Sequence, residues 1–88
     1  MPRYLVQRYF AATPLSERDP AEIVEVNRMT GVVWLHSYIA EDSRRTFCVY
    51  EADSPEAIRT ASRHADLPIE SIDLVTIWDP QAYPCTRQ

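Results

Sequence analysis

Residues 32–50, VVWLHSYIAEDSRRTFCVY, decide the fold because they contain two apolar runs separated by a short polar stretch. Residues 32–39 and 46–50 are rich in valine and aromatic side chains, which favour β-strands. Residues 41–44, EDSR, lie between the runs and are residue types that turn a chain. The stretch therefore predicts a β-hairpin.

The chain before the hairpin predicts a strand followed by a helix. Residues 4–10 are rich in β-forming residues. Ser16 and the Asp19-Pro20 pair both offer helix starts, since a short polar side chain can cap a first turn and proline fits the first helical position. Gly31, the only glycine of the chain, is placed to end this helix.

The chain after the hairpin predicts a second helix and a last strand. Residues 53–56, DSPE, are typical of a helix start, and Leu67-Pro68 ends the helical pattern. Residues 72–78 predict a strand that stops at a proline. The order β-α-β-β-α-β predicts a ferredoxin-like α+β fold, with four antiparallel strands and both helices on one face. We expect one domain over residues 1–80 and a C-terminal tail over 81–88.

Composition excludes several classes of function. The chain has 88 residues, a formal net charge of −4, one glycine and no lysine. One glycine cannot build a glycine-rich phosphate loop, and the lack of lysine excludes a side-chain Schiff base. The acidic balance gives no basic face for nucleic acid, and no apolar run approaches the roughly 20 residues that span a bilayer. The two cysteines, without a secretion signal, indicate free thiols and a cytoplasmic location.

Side-chain alternation in the hairpin predicts which residues share a face of the sheet. If the connecting loop has an odd number of residues, the apolar side chains of Leu35, Ile39, Phe47 and Val49 pack against the helices. The open face then holds Trp34, His36, Tyr38, Cys48 and Tyr50. On the last strand, the same argument places Val75 and Ile77 towards the helices and Leu74, Thr76 and Trp78 on the open face.

An open face with so many aromatic side chains is too apolar to remain in water. Its simplest cover is the same face of a second copy. The sequence therefore predicts a homodimer in which two sheets enclose a barrel-like interior.

His36 and Cys48 are the candidate chemical pair inside that interior. Imidazole and thiolate are ligands that nickel, copper and zinc prefer. Alternatively, His36 is a buried histidine hydrogen-bonded to Tyr38 or Tyr50, and Cys48 is a small apolar filler. A Cys/His nucleophile and base is a third interpretation, but oxyanion-hole glycines and a third orienting residue are missing from the pattern.

Segments along most of the chain resemble a family of small ferredoxin-like proteins, some members of which are described as nickel-binding. The resemblance is carried by PRYLV (2–6), WLHSY (34–38), FCVYEA (47–52), EAIR (56–59) and Leu67-Pro68 with Ile72. It implies a homodimer and a metal site, with nickel as the first candidate. The matching polar residues are His36, Ser37, Tyr38, Cys48 and Tyr50.

Two positions depart from what this resemblance implies. Relatives commonly have glutamate where this chain has Gln7, so a possible anionic ligand is absent. They often have a histidine at the place of Ala61, whereas here the histidine is His64, almost one turn later.

We therefore expect a small cytoplasmic homodimer that binds nickel, for sequestration or sensing rather than catalysis. The candidate ligands are His36, Cys48, Tyr38, Tyr50 and Glu51. One alternative is a cofactor-free dimeric barrel enzyme, of the isomerase or monooxygenase kind, acting on a small aromatic substrate with His36 as base. The other is a small-ligand or interaction module that binds no metal.

Overall fold

The computed structural model describes residues 1–82, and in this part of the chain four strands and two helices follow the predicted order. They are β1 Arg3–Tyr9, α1 Pro20–Thr30, β2 Val33–Ile39, β3 Arg45–Glu51, α2 Pro55–His64 and β4 Ser71–Val75. Short 3-10 turns occupy Leu15–Glu17 and Pro80–Ala82. Of the predicted tail, residues 83–88, including Cys85, lie outside the described residues.

Both helices begin where local signals predict, and α1 also ends there, whereas α2 ends at His64, before the predicted Leu67-Pro68. The Asp19 side chain accepts a hydrogen bond from the backbone N–H of Ala21 at 3.0 Å, and proline follows at the first helical position of α1. Gly31 ends α1 with φ of 76°, a left-handed conformation that glycine adopts without steric cost. In α2, the Ser54 hydroxyl accepts from the N–H of Ala57 at 3.3 Å.

The four strands form one antiparallel sheet in the order β2-β3-β1-β4. Side chains of β1 and β3 pack with those of both helices in a single core, so the helices cover one face of the sheet. This arrangement confirms the predicted ferredoxin-like fold. Neither helix in residues 1–82 is long and apolar enough to cross a membrane.

Cys48 and Tyr50 of β3, which were predicted to lie on the open face, lie in the core instead. The buried residues of β3 are Thr46, Cys48 and Tyr50, and those of β1 are Tyr4, Val6 and Arg8. Phe47 and Val49, predicted to pack against the helices, are half-buried on the opposite, open face. The predicted assignment of faces on β3 is therefore wrong.

A β-bulge in β2 explains part of this difference. Trp34 pairs with Tyr50 and His36 pairs with Val49, so Leu35 lies at an irregularity of the ladder. The extra residue changes the parity along β2. Trp34 therefore lies on the helix side, where it packs against the core, while His36 lies on the open face.

The last strand also differs from its prediction. It ends at Val75, and Trp78 lies beyond it. Val75 pairs with Arg3 of β1 and lies on the open face, whereas Leu74 pairs with Tyr4 on the helix side. The predicted faces of these two residues are thus reversed.

Candidate functional site

Three rows of side chains cross the open face, because directly paired residues of neighbouring strands point to the same side. From β4 to β2 the rows are Ser71, Gln7, Phe47 and Tyr38; then Asp73, Leu5, Val49 and His36; then Val75, Arg3, Glu51 and Val33. Apolar side chains fill much of this surface. Polar side chains lie on the two edge strands and also on the central strands, where Arg3, Gln7 and Glu51 are found.

His36 and Tyr38 lie together on β2, as predicted. Both side chains are exposed, and Tyr38 retains 62% of its accessible surface. The two rings meet edge to face, with centroids 5.2 Å apart and planes at 84°. The imidazole of His36 is therefore held beside a phenol on an open surface, where it can reach a ligand from outside the chain.

Glu51 is the nearest open-face carboxylate of β3 to this pair. It is diagonal to His36 in the ladder, a separation of about 7–8 Å between backbone positions. Its Oε2 accepts a hydrogen bond from Arg3 at 3.0 Å, and both side chains are about two-thirds buried. The Arg3 guanidinium thus fixes this carboxylate on the open face.

Cys48 does not join His36. Its side chain is 0% exposed, its Sγ lies 3.7 Å from the Thr46 hydroxyl, and it belongs to the core between sheet and helices. The thickness of the sheet separates the thiol from the imidazole. The expectation that the two share a face is wrong, and the alternative of Cys48 as a small apolar filler describes its position.

Tyr50 likewise lies in the core. Its hydroxyl accepts a hydrogen bond from Arg8 Nη2 at 2.9 Å, and its ring packs at a centroid distance of 6.5 Å from Trp34. Burial raises the pKa of the Tyr50 phenol to about 12, although the nearby Arg8 charge partly opposes this shift. Neither Tyr50 nor Trp34 reaches the open face.

The two positions that depart from the family resemblance lie in different layers. Gln7 is on the open face in the row of Tyr38, so a carboxylate at this position would stand beside the candidate site. Ala61 is 3% exposed in the core on α2, and His64 is exposed at the end of that helix. The helix positions are thus on the opposite side of the sheet from His36.

One chain offers an incomplete set of metal ligands. Within residues 1–82, there is no group of three or more histidine, cysteine, aspartate or glutamate side chains that could hold a metal ion. Asp73, which the sequence analysis did not single out, lies in the row of His36 but three strands away. At about 4.8 Å per strand, that separation is about 14 Å.

Arg8 is a further residue whose position was not predicted from the sequence. This arginine is 1% exposed, and a charged side chain is normally assigned to the surface. Its position could have been found from β1 alone, because Tyr4, Val6 and Arg8 alternate on one face of the strand.

Comparison with known proteins agrees with the fold. A family model described as "Nickel responsive protein SCO4226-like" matches residues 4–75. Among solved structures, SCO4226 from Streptomyces coelicolor A3(2) is similar, with a TM-score of 0.67 and 12% sequence identity, covering 88% of this chain and 99% of that chain. At this identity the likeness concerns the fold alone. No match is found among curated proteins.

Proposed function

Because this chain belongs to the family of SCO4226-like nickel responsive proteins, we propose that it binds nickel on its open sheet face as a homodimer. His36 is the principal ligand that each chain contributes. The role is sequestration or sensing of the metal rather than catalysis. The carrying observation is the exposed imidazole of His36, which lies beside the Tyr38 ring on the open face of the sheet.

The donor set of the open face fits nickel in part. Imidazole is a good ligand for this metal, and carboxylate oxygen is an acceptable one. His36 supplies the first and Glu51 the second, with Tyr38 as a neighbour that can hydrogen-bond to a ligand. Cys48 and Tyr50 do not fit, because both lie in the core on the other side of the sheet.

A second copy would complete this partial set. The open face exposes Val33 and Tyr38, beside half-buried Leu5, Phe47 and Val49. Contiguous apolar surface of this kind favours a partner, and a two-fold dimer would pair the face with itself. Two copies would bring two imidazoles and the carboxylates of both chains to one interface.

Nickel titration of tag-free protein by calorimetry tests the ligand assignment. We expect wild type to bind nickel and His36→Ala to weaken binding by at least about tenfold, since a principal donor is removed. The matched control is Cys48→Ala, which removes the other predicted ligand from the core and leaves nickel affinity unchanged. Equal binding by wild type and His36→Ala, or loss only in Cys48→Ala, would contradict the assignment.

Sedimentation of variants tests the dimer separately. Val49 lies beside His36 in its row, so Val49→Arg places a charge inside the proposed interface. The control, Val24→Arg, places the same charge on the exposed surface of α1. We expect a dimer for wild type and Val24→Arg and a monomer for Val49→Arg. A monomeric wild type would refute the dimer.

A further inference from the structure

A cleft of about 490 Å³ lies between the chain that leaves β1 and the end of α2. One wall is formed by the chain that leaves β1, and the other by the end of α2 and the residues that follow it. The lining residues are Tyr9, Phe10, Ala11, Ala12, Thr13, Arg18, Ser62, Arg63, Asp66, Leu67 and Pro68. The nickel proposal uses none of them.

Positive charge exceeds negative charge at this cleft, although the chain as a whole carries −4. Arg18 and Arg63 line it, with Asp66 as the only carboxylate of the lining. Arg18 donates from Nη1 to the backbone carbonyl of Asp66 at 3.0 Å, so this bond does not neutralise it. In the described part of the chain, Arg63 forms no ion pair.

A third guanidinium lies directly behind the wall. Arg8 is 1% exposed and donates to Pro68 O at 2.9 Å and to Ser62 Oγ at 3.1 Å, both of which belong to lining residues. Its remaining partner is the Tyr50 hydroxyl. All three acceptors are neutral, and Arg8 Nε is buried without a hydrogen-bond partner within residues 1–82.

A buried permanent charge with only neutral partners produces a positive potential that the low local dielectric screens poorly. An anion in the adjoining cleft would reduce that unfavourable field. Arg18 adds to the argument, because its Nε is also buried without a partner in the described residues. Two guanidinium groups thus line the cleft, and the third, that of Arg8, lies behind its wall.

The walls of the cleft are tied in place before any ligand arrives. Arg44 donates from Nη1 to the carbonyl oxygens of Phe10 at 3.1 Å and Ala11 at 2.6 Å. On the other wall, the N–H of Leu67 donates to Ser62 O at 2.8 Å. Arg18 joins the walls, since it bonds to Asp66 and lies 5.2 Å from the Phe10 ring centroid.

We propose that this cleft binds a small organic anion. Its oxyanion head group, a carboxylate or a phosphate ester, lies against Arg18 and Arg63. Its apolar body contacts the exposed side chains of Ala11, Ala12 and Pro68. Guanidinium groups suit both head groups because their planar forks donate two parallel hydrogen bonds.

Titration followed by amide NMR tests this site with defined probes: phenyl phosphate, sodium benzoate and neutral benzyl alcohol. We expect saturable shifts at the amides of Ala12, Thr13 and Asp66 with one or both anions, and which anion binds tells phosphate from carboxylate. Benzyl alcohol gives none. No saturable shift with either anion at about 10 mM, or equal shifts with benzyl alcohol, would overturn the proposal.

A pair of charge-matched variants assigns the binding to the cleft. Arg63→Gln removes an exposed lining charge, and we expect about tenfold weaker anion binding, as for loss of a hydrogen bond to a charged group. Arg59→Gln removes the same charge from the same helix, outside the cleft, and leaves the affinity within about twofold. Equal weakening by both variants would show a general charge effect and refute the site.

Discussion

Tyr50→Phe removes a single buried oxygen atom and leaves the aromatic ring in the core. The Tyr50 side chain is 2% exposed, and its hydroxyl is the acceptor for Arg8 Nη2 at 2.9 Å. The buried Arg8 guanidinium has no carboxylate partner among its acceptors, so its hydrogen bonds to three neutral acceptors replace the hydrogen bonds to water that it loses on folding. The substitution leaves one donor of that cation with a single remaining acceptor, Ser62 Oγ at 3.1 Å.

The expected loss of stability follows from these contacts. A hydrogen bond to a charged group contributes about 1.5–3 kcal/mol, and we take the lower end because Arg8 keeps its bonds to Ser62 and Pro68. We therefore expect Tyr50→Phe to lower the free energy of unfolding by about 1.5 kcal/mol. For a domain of this size, that corresponds to a fall in Tm of roughly 6–12 °C.

Urea unfolding followed by circular dichroism at pH 7 measures this difference, at one fixed protein concentration so that any dimer contributes equally. The matched control is Tyr4→Phe. Tyr4 also packs in the core, but its hydroxyl is absent from the buried unpaired atoms and receives no hydrogen bond within residues 1–82. We expect a change within about 0.5 kcal/mol. A Tyr50→Phe protein as stable as wild type, or an equal loss in Tyr4→Phe, would refute the argument.

Two further predictions concern pH. The pKa of Tyr50 is raised from 10.0 to about 12, so its contribution to stability is fully present below pH 10 and is lost as pH rises through about 12; an ultraviolet phenolate titration should show one late tyrosine that Tyr50→Phe lacks. Asp42 accepts hydrogen bonds from the backbone N–H groups of Arg44 and Arg45, which lower its pKa from 3.8. Asp42→Ala should therefore be less stable than wild type at neutral pH, and urea unfolding should show the difference closing as pH falls below 3.8 through the lowered pKa. A stability difference between Asp42→Ala and wild type that stays the same at every pH would contradict this prediction.

The order of elements could be predicted because its signals are local. Asp19 and Ser54 each accept a hydrogen bond from a backbone N–H in the first turn of the helix that they cap. Gly31 ends α1 in a left-handed conformation, which glycine adopts without steric cost. These contacts span only a few residues. A pattern of residue types is sufficient to place them, and βαββαβ follows.

The faces of the hairpin could not be assigned in the same way. Both parities of β3 are apolar, with Phe47 and Val49 on one side and Cys48 and Tyr50 on the other, so alternation alone does not identify the core side. The choice depends on pairing with β1, where Val6 lies opposite Cys48 and Leu5 opposite Val49. The bulge at Leu35 then moves His36 and Trp34 to different faces.

The candidate site changed accordingly. Of the five predicted ligands, His36, Tyr38 and Glu51 lie on the open face, whereas Cys48 and Tyr50 lie in the core. Whether the open-face residues bind nickel stays a prediction, as do the homodimer and the two alternatives without metal. The predicted barrel-like interior, in which an enzyme would hold its substrate, requires two chains. Sedimentation followed by ligand titration therefore tests that alternative.

By itself, the sequence determined the order of the helices and strands, and it placed His36 and Tyr38 on one surface because alternate residues of a strand share a face. Only the tertiary structure decided that Cys48 is core, that Arg8 is a buried cation, and that a positively charged cleft adjoins α2. The physical reason is the range of the interactions. Caps and alternation act over a few neighbouring residues, whereas Arg8 reaches Tyr50, Ser62 and Pro68 across separations of 42, 54 and 60 residues.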